Sequence, residues 1–139
     1  MENNNQFIFY IDGGCSGNAQ KDMSLRSMIS VVTDCFGAVL SEISRPFGSN
    51  NIAELYAFTD CLSYISSTEI TDCEIYTDSL NTIRWVKSRK PSKKINDIVT
   101  VHRLLQEIGE LSKKVSYRLY WIKREENLAG HYIENKFYL

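Results

Sequence analysis

Three carboxylates in this 139-residue sequence stand where a folded chain can gather them: Asp12, Glu54 and Asp78. Asp12 follows the short β-favouring run Phe7 to Ile11 and precedes Gly13-Gly14, so it ends a first strand. Asp78 ends a second apolar run, Cys73 to Thr77, in the same way. Ligands of open α/β sheets bind outside the carboxyl ends of the strands, and two parallel neighbours would bring both acids to that edge. Glu54 falls in the first turn of a helix predicted from Asn50-Asn51 to about Ile65, and that turn can dip toward the same edge. Three carboxylates converging in a low-dielectric site repel one another, so the arrangement makes sense with cations among them. Oxygen ligands in a chain with only two histidines suit Mg²⁺ or Mn²⁺ better than zinc. Each acid alone has a plainer reading, as a turn former before Gly-Gly, a helix-dipole partner or a helix N-cap. Their contexts taken together outweigh it.

The elements that must position these acids are legible as periodicities. Met28 to Val32 and Ala38 to Ile43 read as strands around a hairpin turn at Asp34 to Gly37, and with Phe7 to Ile11 they make an antiparallel meander. Asn, a good N-cap, opens a helix in which Ile52, Leu55, Phe58, Leu62 and Ile65 recur at helical spacing. After the Cys73 to Thr77 strand comes a helix with Leu80, Ile83 and Val86 on one face, interrupted by Pro91. Ile95 to Leu111 reads as a long amphipathic helix through Ile98, Val101, Leu105 and Ile108. A strand over Val115 to Ile122 and a short helix from Leu128 complete the order β-β-β-α-β-α-α-β-α. That order predicts an α/β fold with a mixed sheet and helices on its faces. No repeat or linker divides the chain, so residues 1–139 are expected to form one domain, with 1–5 as a frayed leader.

Composition narrows the class. Hydrophobic residues are 43% and charged residues 24%, as in ordinary globular proteins. No apolar run is long enough to span a bilayer and the polar start lacks a secretory pattern, so the expectation is a cytoplasmic protein with no membrane partner. The four cysteines, Cys15, Cys35, Cys61 and Cys73, form no Cys-x-x-Cys pair and read as small buried apolar groups. Cys15 stands apart because it sits in the Gly-rich segment after Asp12. Net charge is −1, yet Arg84 to Lys94 holds six basic residues and no acid, a strip that grips phosphates or merely solvates a helix end. Trp85 within it is expected in the core rather than against nucleic acid. His102, mid-helix among core positions, is given no catalytic role.

Four segments in order carry a family resemblance. Phe9-Tyr10-Ile11-Asp12-Gly13-Gly14-Cys15-Ser16-Gly17-Asn18 resembles the first-strand motif of type 1 ribonuclease H. Ser49-Asn50-Asn51-Ile52-Ala53-Glu54-Leu55 resembles its first-helix motif, and Ile75-Tyr76-Thr77-Asp78-Ser79 its fourth-strand motif. Trp121-Ile122-Lys123-Arg124-Glu125-Glu126-Asn127 is similar to the approach to its last helix. The resemblance implies the ribonuclease H-like fold, a five-stranded mixed sheet with three antiparallel strands and then two parallel ones. It implies cleavage of the RNA strand of RNA–DNA hybrids, leaving a 3′-hydroxyl and a 5′-phosphate; separately, a monomer with no obligate protein partner is expected. Asp12, Glu54 and Asp78 would then hold two Mg²⁺ or Mn²⁺ ions with substrate bound. Recognition of the 2′-hydroxyl would fall to the backbone of Gly13, Gly14 and Cys15 and to Asn18 and Asn51. Ser49 and Asn127 match positions that help hold a DNA-strand phosphate, and Ser79 joins the substrate contacts beside Asp78.

The sequence departs from the family in three places. The fourth carboxylate, normally an Asp four residues after the Asn that opens the last helix, is His131 here, preceded by Gly130. His131 as a metal ligand or proton carrier, Glu134 one turn farther on, or a neutral oxygen from Asn127 would each fill the gap; otherwise His131 only packs or caps. The His-bearing loop before the last helix is absent, which suggests that His131 supplies part of its role in catalysis. The basic protrusion is too short to be complete, leaving Lys87, Arg89, Lys90, Lys93 and Lys94 as a reduced substitute. Two other readings stand beside the hybrid nuclease: a catalytically silent hybrid-binding module, and a DNA-directed nuclease on the same fold.

Overall fold

The computed structural model describes residues 7–16, 27–91 and 97–137. Strands β1 (Ile8–Ser16), β2 (Ser27–Asp34) and β3 (Val39–Pro46) form the expected meander. Helix α1 (Asn50–Ser66), strand β4 (Asp72–Thr77), helices α2 (Leu80–Ser88) and α3 (Ile98–Leu111), strand β5 (Ser116–Trp121) and helix α4 (Leu128–Phe137) follow. A single 3-10 turn, Arg124–Glu126, joins β5 to α4. The five strands make one sheet in the order β3-β2-β1-β4-β5. β1 is antiparallel to β2 and parallel to β4, and β5 is parallel to β4, so the mixed sheet is the one expected.

Alternation along β1 separates the two faces of the sheet. Phe9 and Ile11, with Ile75 of β4, enter the main core beside Ile52, Leu55, Phe58 and Leu62 of α1 and Leu104 and Ile108 of α3. Tyr10 lies against the smaller cluster of Ile29, Val31, Ala129 and Ile133, which seats α4 on the opposite face. The acids of the site therefore sit between two packed layers.

Several boundaries differ from the sequence reading. β1 runs on to Ser16, paired with β2 as far as Ser27, so Gly13, Gly14 and Cys15 are strand residues and form no turn. Ser49, rather than Asn50, caps α1, its hydroxyl accepting from the Ile52 amide at 3.3 Å. α2 buries Thr82, Trp85 and Val86 while Leu80, in its first turn, faces solvent and Ile83 is half-buried. Trp85 is in the core, as expected. α3 buries Val101, Leu104, Leu105 and Ile108, and His102 lies on its exposed side rather than among core positions. Cys15, Cys61 and Cys73 are buried thiols and Cys35 is half-buried. No helix among the described residues is long and apolar enough to cross a membrane.

Candidate metal centre

Parallel pairing of β1 with β4 matches Ile8 to Glu74, Phe9 to Ile75 and Tyr10 to Tyr76. Continuing that register two residues sets Asp12 opposite Asp78, beyond the last pair; Asp78 stands one residue past β4, whereas Asp12 lies midway along β1 and does not end it as expected, because β2 goes on pairing with β1 to Ser16. Glu54 reaches them because α1 crosses β1 backbone against backbone. A Cβ on Gly13 would lie 2.3 Å from the carbonyl carbon of Ala53 and 2.4 Å from the amide of Glu54. Only glycine permits that crossing. Ser30 of β2 fixes it from below, its hydroxyl donating to the Ala53 carbonyl at 2.8 Å. The result is one group in which a carboxylate oxygen from each of Asp12, Glu54 and Asp78 lies within 4.8 Å of the others.

Asp12 and Glu54 line a cleft of about 370 Å³ together with Gly13, Gly14, Asn50, Arg124 and Ile133. Asp12 is 1% exposed, and among the described residues neither of its carboxylate oxygens has a hydrogen-bond donor in normal geometry. An orphaned buried carboxylate is expensive unless a cation completes it. Burial, reinforced by the charge of Asp78 and opposed by that of Arg124, pushes Asp12 up from 3.8 to about 7. Burial and then the charges of Asp12 and Asp78 push Glu54 up from 4.5 to about 9, with a Ser79 hydrogen bond working the other way. Both shifts favour the protonated form of these acids while no cation is bound. The donors, all hard oxygens, one on β1, one just past β4 and one on α1, fit Mg²⁺ or Mn²⁺.

Asp78 is held from two sides. Asn127 Nδ2 donates to Asp78 Oδ2 at 3.1 Å and to the Ile11 carbonyl at 2.9 Å, tying α4 to both acid-bearing strands. Asn127 Oδ1 accepts from the amides of Ala129 and Gly130, and the residue is fully buried. Its oxygen therefore serves α4, and its side chain positions Asp78. Trp121 of β5 donates its indole N–H to the Asp78 carbonyl at 3.2 Å.

The remaining predicted residues fall around this centre. Among the described residues, His131 is outside the group of three acids; it is exposed and its Nε2 lies 2.6 Å from the Glu125 carbonyl. Glu134 is also outside it and accepts from Arg124 Nε at 3.1 Å. Ser49 is half-buried at the head of α1 and Asn51 is exposed there, while its neighbour Asn50 lines the cleft. Ser79 caps α2 and is buried. Asn18 lies outside the described residues, as do Lys93 and Lys94. Arg84, Lys87 and Lys90 surround an open groove with Trp85, Ser88 and Pro91 at the end of α2. Arg89 folds back instead, donating to the Val86 carbonyl at 2.9 Å and to Ser112 at 3.4 Å. Sequence reasoning missed Arg124, Ser30 and Asn50 as site residues. A base three residues before the capping Asn127 was the available signal for Arg124, and an Asn adjacent to Asn51 the signal for Asn50. Nothing marked Ser30, whose role depends on strand register.

A sheet in this order, with carboxylates gathered midway along β1 and just past the end of β4 under the first turn of α1, defines the ribonuclease H-like fold. The family model of RNase H matches residues 4–136, and the chain belongs to the RNase H family, a family of nucleases. Solved structures agree on the fold. The N-terminal RNase H domain of a Mycobacterium tuberculosis protein superposes with a TM-score of 0.65 at 20% identity, covering 88% of this chain and 90% of that one. RNase H1 of the halophilic archaeon Halobacterium salinarum gives 0.65 at 18%, covering 88% and 89%. LC11-RNase H1, solved in complex with an RNA/DNA hybrid, gives 0.61 at 23%, covering 86% and 87%. A comparison with curated protein sequences gives no match.

Proposed function

We propose that this protein is an endoribonuclease that hydrolyses the RNA strand of RNA–DNA hybrids with two divalent metal ions. The observation that carries the reading is the convergence of one carboxylate oxygen each from Asp12, Glu54 and Asp78 to within 4.8 Å, with both Asp12 oxygens lacking a donor among the described residues. Family membership and the hybrid bound to LC11-RNase H1 support the substrate. When bound, Mg²⁺ or Mn²⁺ supplies an activated water and neutralises charge on the departing oxygen. Water oxygen adds to phosphorus as the bond to the 3′-oxygen breaks, leaving a 5′-phosphate and a 3′-hydroxyl.

The chain's own residues set the rest. Asp12, Glu54 and Asp78 hold the cations, and Asn127 keeps the Asp78 carboxylate turned toward them. Beyond Tyr10, β4 no longer pairs with β1, so the edge of β1 along Gly13, Gly14 and Cys15 can meet a sugar-phosphate backbone closely. Asn51, with Asn18, senses the 2′-hydroxyl, the group that separates RNA from DNA. Ser49 contacts the DNA strand, and Arg84, Lys87 and Lys90 give sequence-blind phosphate contacts. His131 acts at the rim, through the Glu125 carbonyl that its ring contacts. All three acids come from one chain, which supports action as a monomer.

The test is cleavage of a labelled 12-base-pair hybrid with Mg²⁺, Mn²⁺ or EDTA, by the wild type, Asp12→Asn and His131→Ala. Metal-dependent cutting confined to the RNA strand and abolished by Asp12→Asn is expected. Salt-sensitive binding without cutting would identify a silent hybrid-binding module, and cutting of DNA a different nuclease. An unchanged rate and metal dependence in His131→Ala would remove that residue from the mechanism.

A further inference from the structure

Among the described residues, one basic side chain enters the cleft without completing a hydrogen bond to its acids. Arg124 projects from the 3-10 turn after β5, with Nη1 at 3.6 Å from Asp78 Oδ2 and 4.0 Å from Asp12 Oδ2. Both distances are longer than a normal N–H···O hydrogen bond. The Nε of the same guanidinium donates to Glu134 on α4 at 3.1 Å, and the side chain is 50% exposed. The turn itself is braced by the His131 contact to the Glu125 carbonyl. Arg124 thus has one firm partner at the mouth of the cleft and two loose ones inside it. The oxygens it faces loosely belong to two of the three acids proposed as metal ligands.

We infer that Arg124 is the internal counter-cation of the metal-free cleft, displaced toward Glu134 when a divalent metal enters. The chain then sets its own metal affinity by competition. The inference rests on the proposal that Asp12, Glu54 and Asp78 hold metal. Three clustered carboxylates need positive charge, and a guanidinium at ion-pair distance supplies it without closing the site. Closure is what a fork with two short hydrogen bonds achieves, and Arg45 makes one to Asp60 at 2.7 and 3.1 Å. Arg124 stops short of that geometry, and its Glu134 tether offers the fork another resting place.

The experiment is calorimetric titration of Mn²⁺ into the full chain without nucleic acid, paired with thermal melts in EDTA. Arg124→Gln is expected to bind Mn²⁺ roughly five-fold tighter than wild type or better, and to melt earlier in EDTA because the acids lose their cation. Arg124→Lys, which keeps the charge but loses the fork, is expected between the two, and carries the test if Arg124→Gln does not fold. Glu134→Gln is expected to weaken Mn²⁺ binding, and to lose most of that effect when combined with Arg124→Gln. Equal or weaker Mn²⁺ binding by Arg124→Gln overturns the inference and leaves the metal reading standing. No binding by either the wild type or Arg124→Gln overturns the metal reading and the inference with it.

Discussion

Asp12 and Asp60 are both acids sunk into this fold beside an arginine, and they are finished in opposite ways. The Asp60 side chain, 9% exposed, accepts two hydrogen bonds from Arg45, whose guanidinium lies 3.9 Å from the ring centroid of Tyr56. That pair joins β3 to α1 and leaves the carboxylate satisfied. Asp12, more deeply buried, has the Arg124 guanidinium at 4.0 Å and, among the described residues, no hydrogen-bond donor in normal geometry. Burial raises both acids from their ordinary value, with Arg45 drawing Asp60 back and Asp78 pushing Asp12 farther up to about 7. A fold can bury a carboxylate with a permanent partner or keep the place open for an exchangeable one. The first adds structure, and the second sacrifices stability for a site.

The sharpest way to break that comparison is to neutralise both acids in turn. Asp12→Asn is expected to lower hybrid cleavage by about a thousand-fold or more, since a metal ligand is lost. The same change should raise the melting temperature in EDTA, because it removes a buried charge and its repulsion with Asp78. Asp60→Ala should do the reverse, lowering stability by roughly 2–3 kcal/mol by stranding Arg45 while leaving turnover close to wild type. Cleavage assays and urea melts of the two variants decide it. An Asp12→Asn protein that melts earlier than wild type in EDTA would show that Asp12 is as finished as Asp60.

Two smaller perturbations probe how the open site is held. Gly13→Ala would drive a methyl into the backbone of Ala53 and Glu54, so α1 must move. Loss of about 1–3 kcal/mol is expected from overpacking, and about a hundred-fold in turnover from displacing Glu54. At Gly130 a Cβ would meet Asp12 Oδ2 at 3.4 Å, ordinary contact, so Gly130→Ala is the control and should fold normally. Asn127→Ala removes the tie between α4, Ile11 and Asp78. Turnover is expected to fall by roughly ten-fold to a hundred-fold, with weaker Mn²⁺ binding, as for other residues that orient a metal ligand. Unchanged Mn²⁺ affinity would assign Asn127 to capping alone.

The acids of the open site were easier to read than the devices that hold them. Asp12 and Asp78 each close a short apolar run, and strand periodicity plus a parallel pairing was enough to bring them together. The meander and the helix spacing of α1 followed from the same local patterns. What failed locally depended on neighbours far along the chain. β1 continues through Gly13 and Gly14 because β2 pairs with it there, although a Gly pair reads as a turn. Ser49 took the cap from Asn50, since both are good caps and the path out of β3 chose between them. Ser30 and Arg124 gave no periodic signal, because their contacts to Ala53 and to Asp12 and Asp78 arise only once the sheet and α4 are assembled.

The smallest expected effect is a slope rather than a loss, and it tests whether Asp12 and Glu54 carry protons in place of metal. Asp12 titrates at about 7 in the folded chain against an ordinary 3.8, and Glu54 at about 9 against 4.5. Between about pH 4 and pH 9 the folded protein therefore binds more protons than the unfolded one. Stability rises with pH only where the unfolded state binds more, so in EDTA the protein should become less stable as pH rises through that window. Metal needs the deprotonated carboxylates, so the stabilisation gained from Mn²⁺ should grow over the same range. Glu54→Gln removes the group with the larger shift and should flatten the upper part of the decline, from about pH 7 to pH 9. Asp60→Asn should leave that part unchanged. Urea melts at half-unit steps from pH 5 to pH 9, with EDTA and with Mn²⁺, measure all of these. A wild-type curve in EDTA that is level or rises between pH 7 and pH 9 would mean that Glu54 is already ionised there. The cleft would then be balanced by Arg124 without a proton.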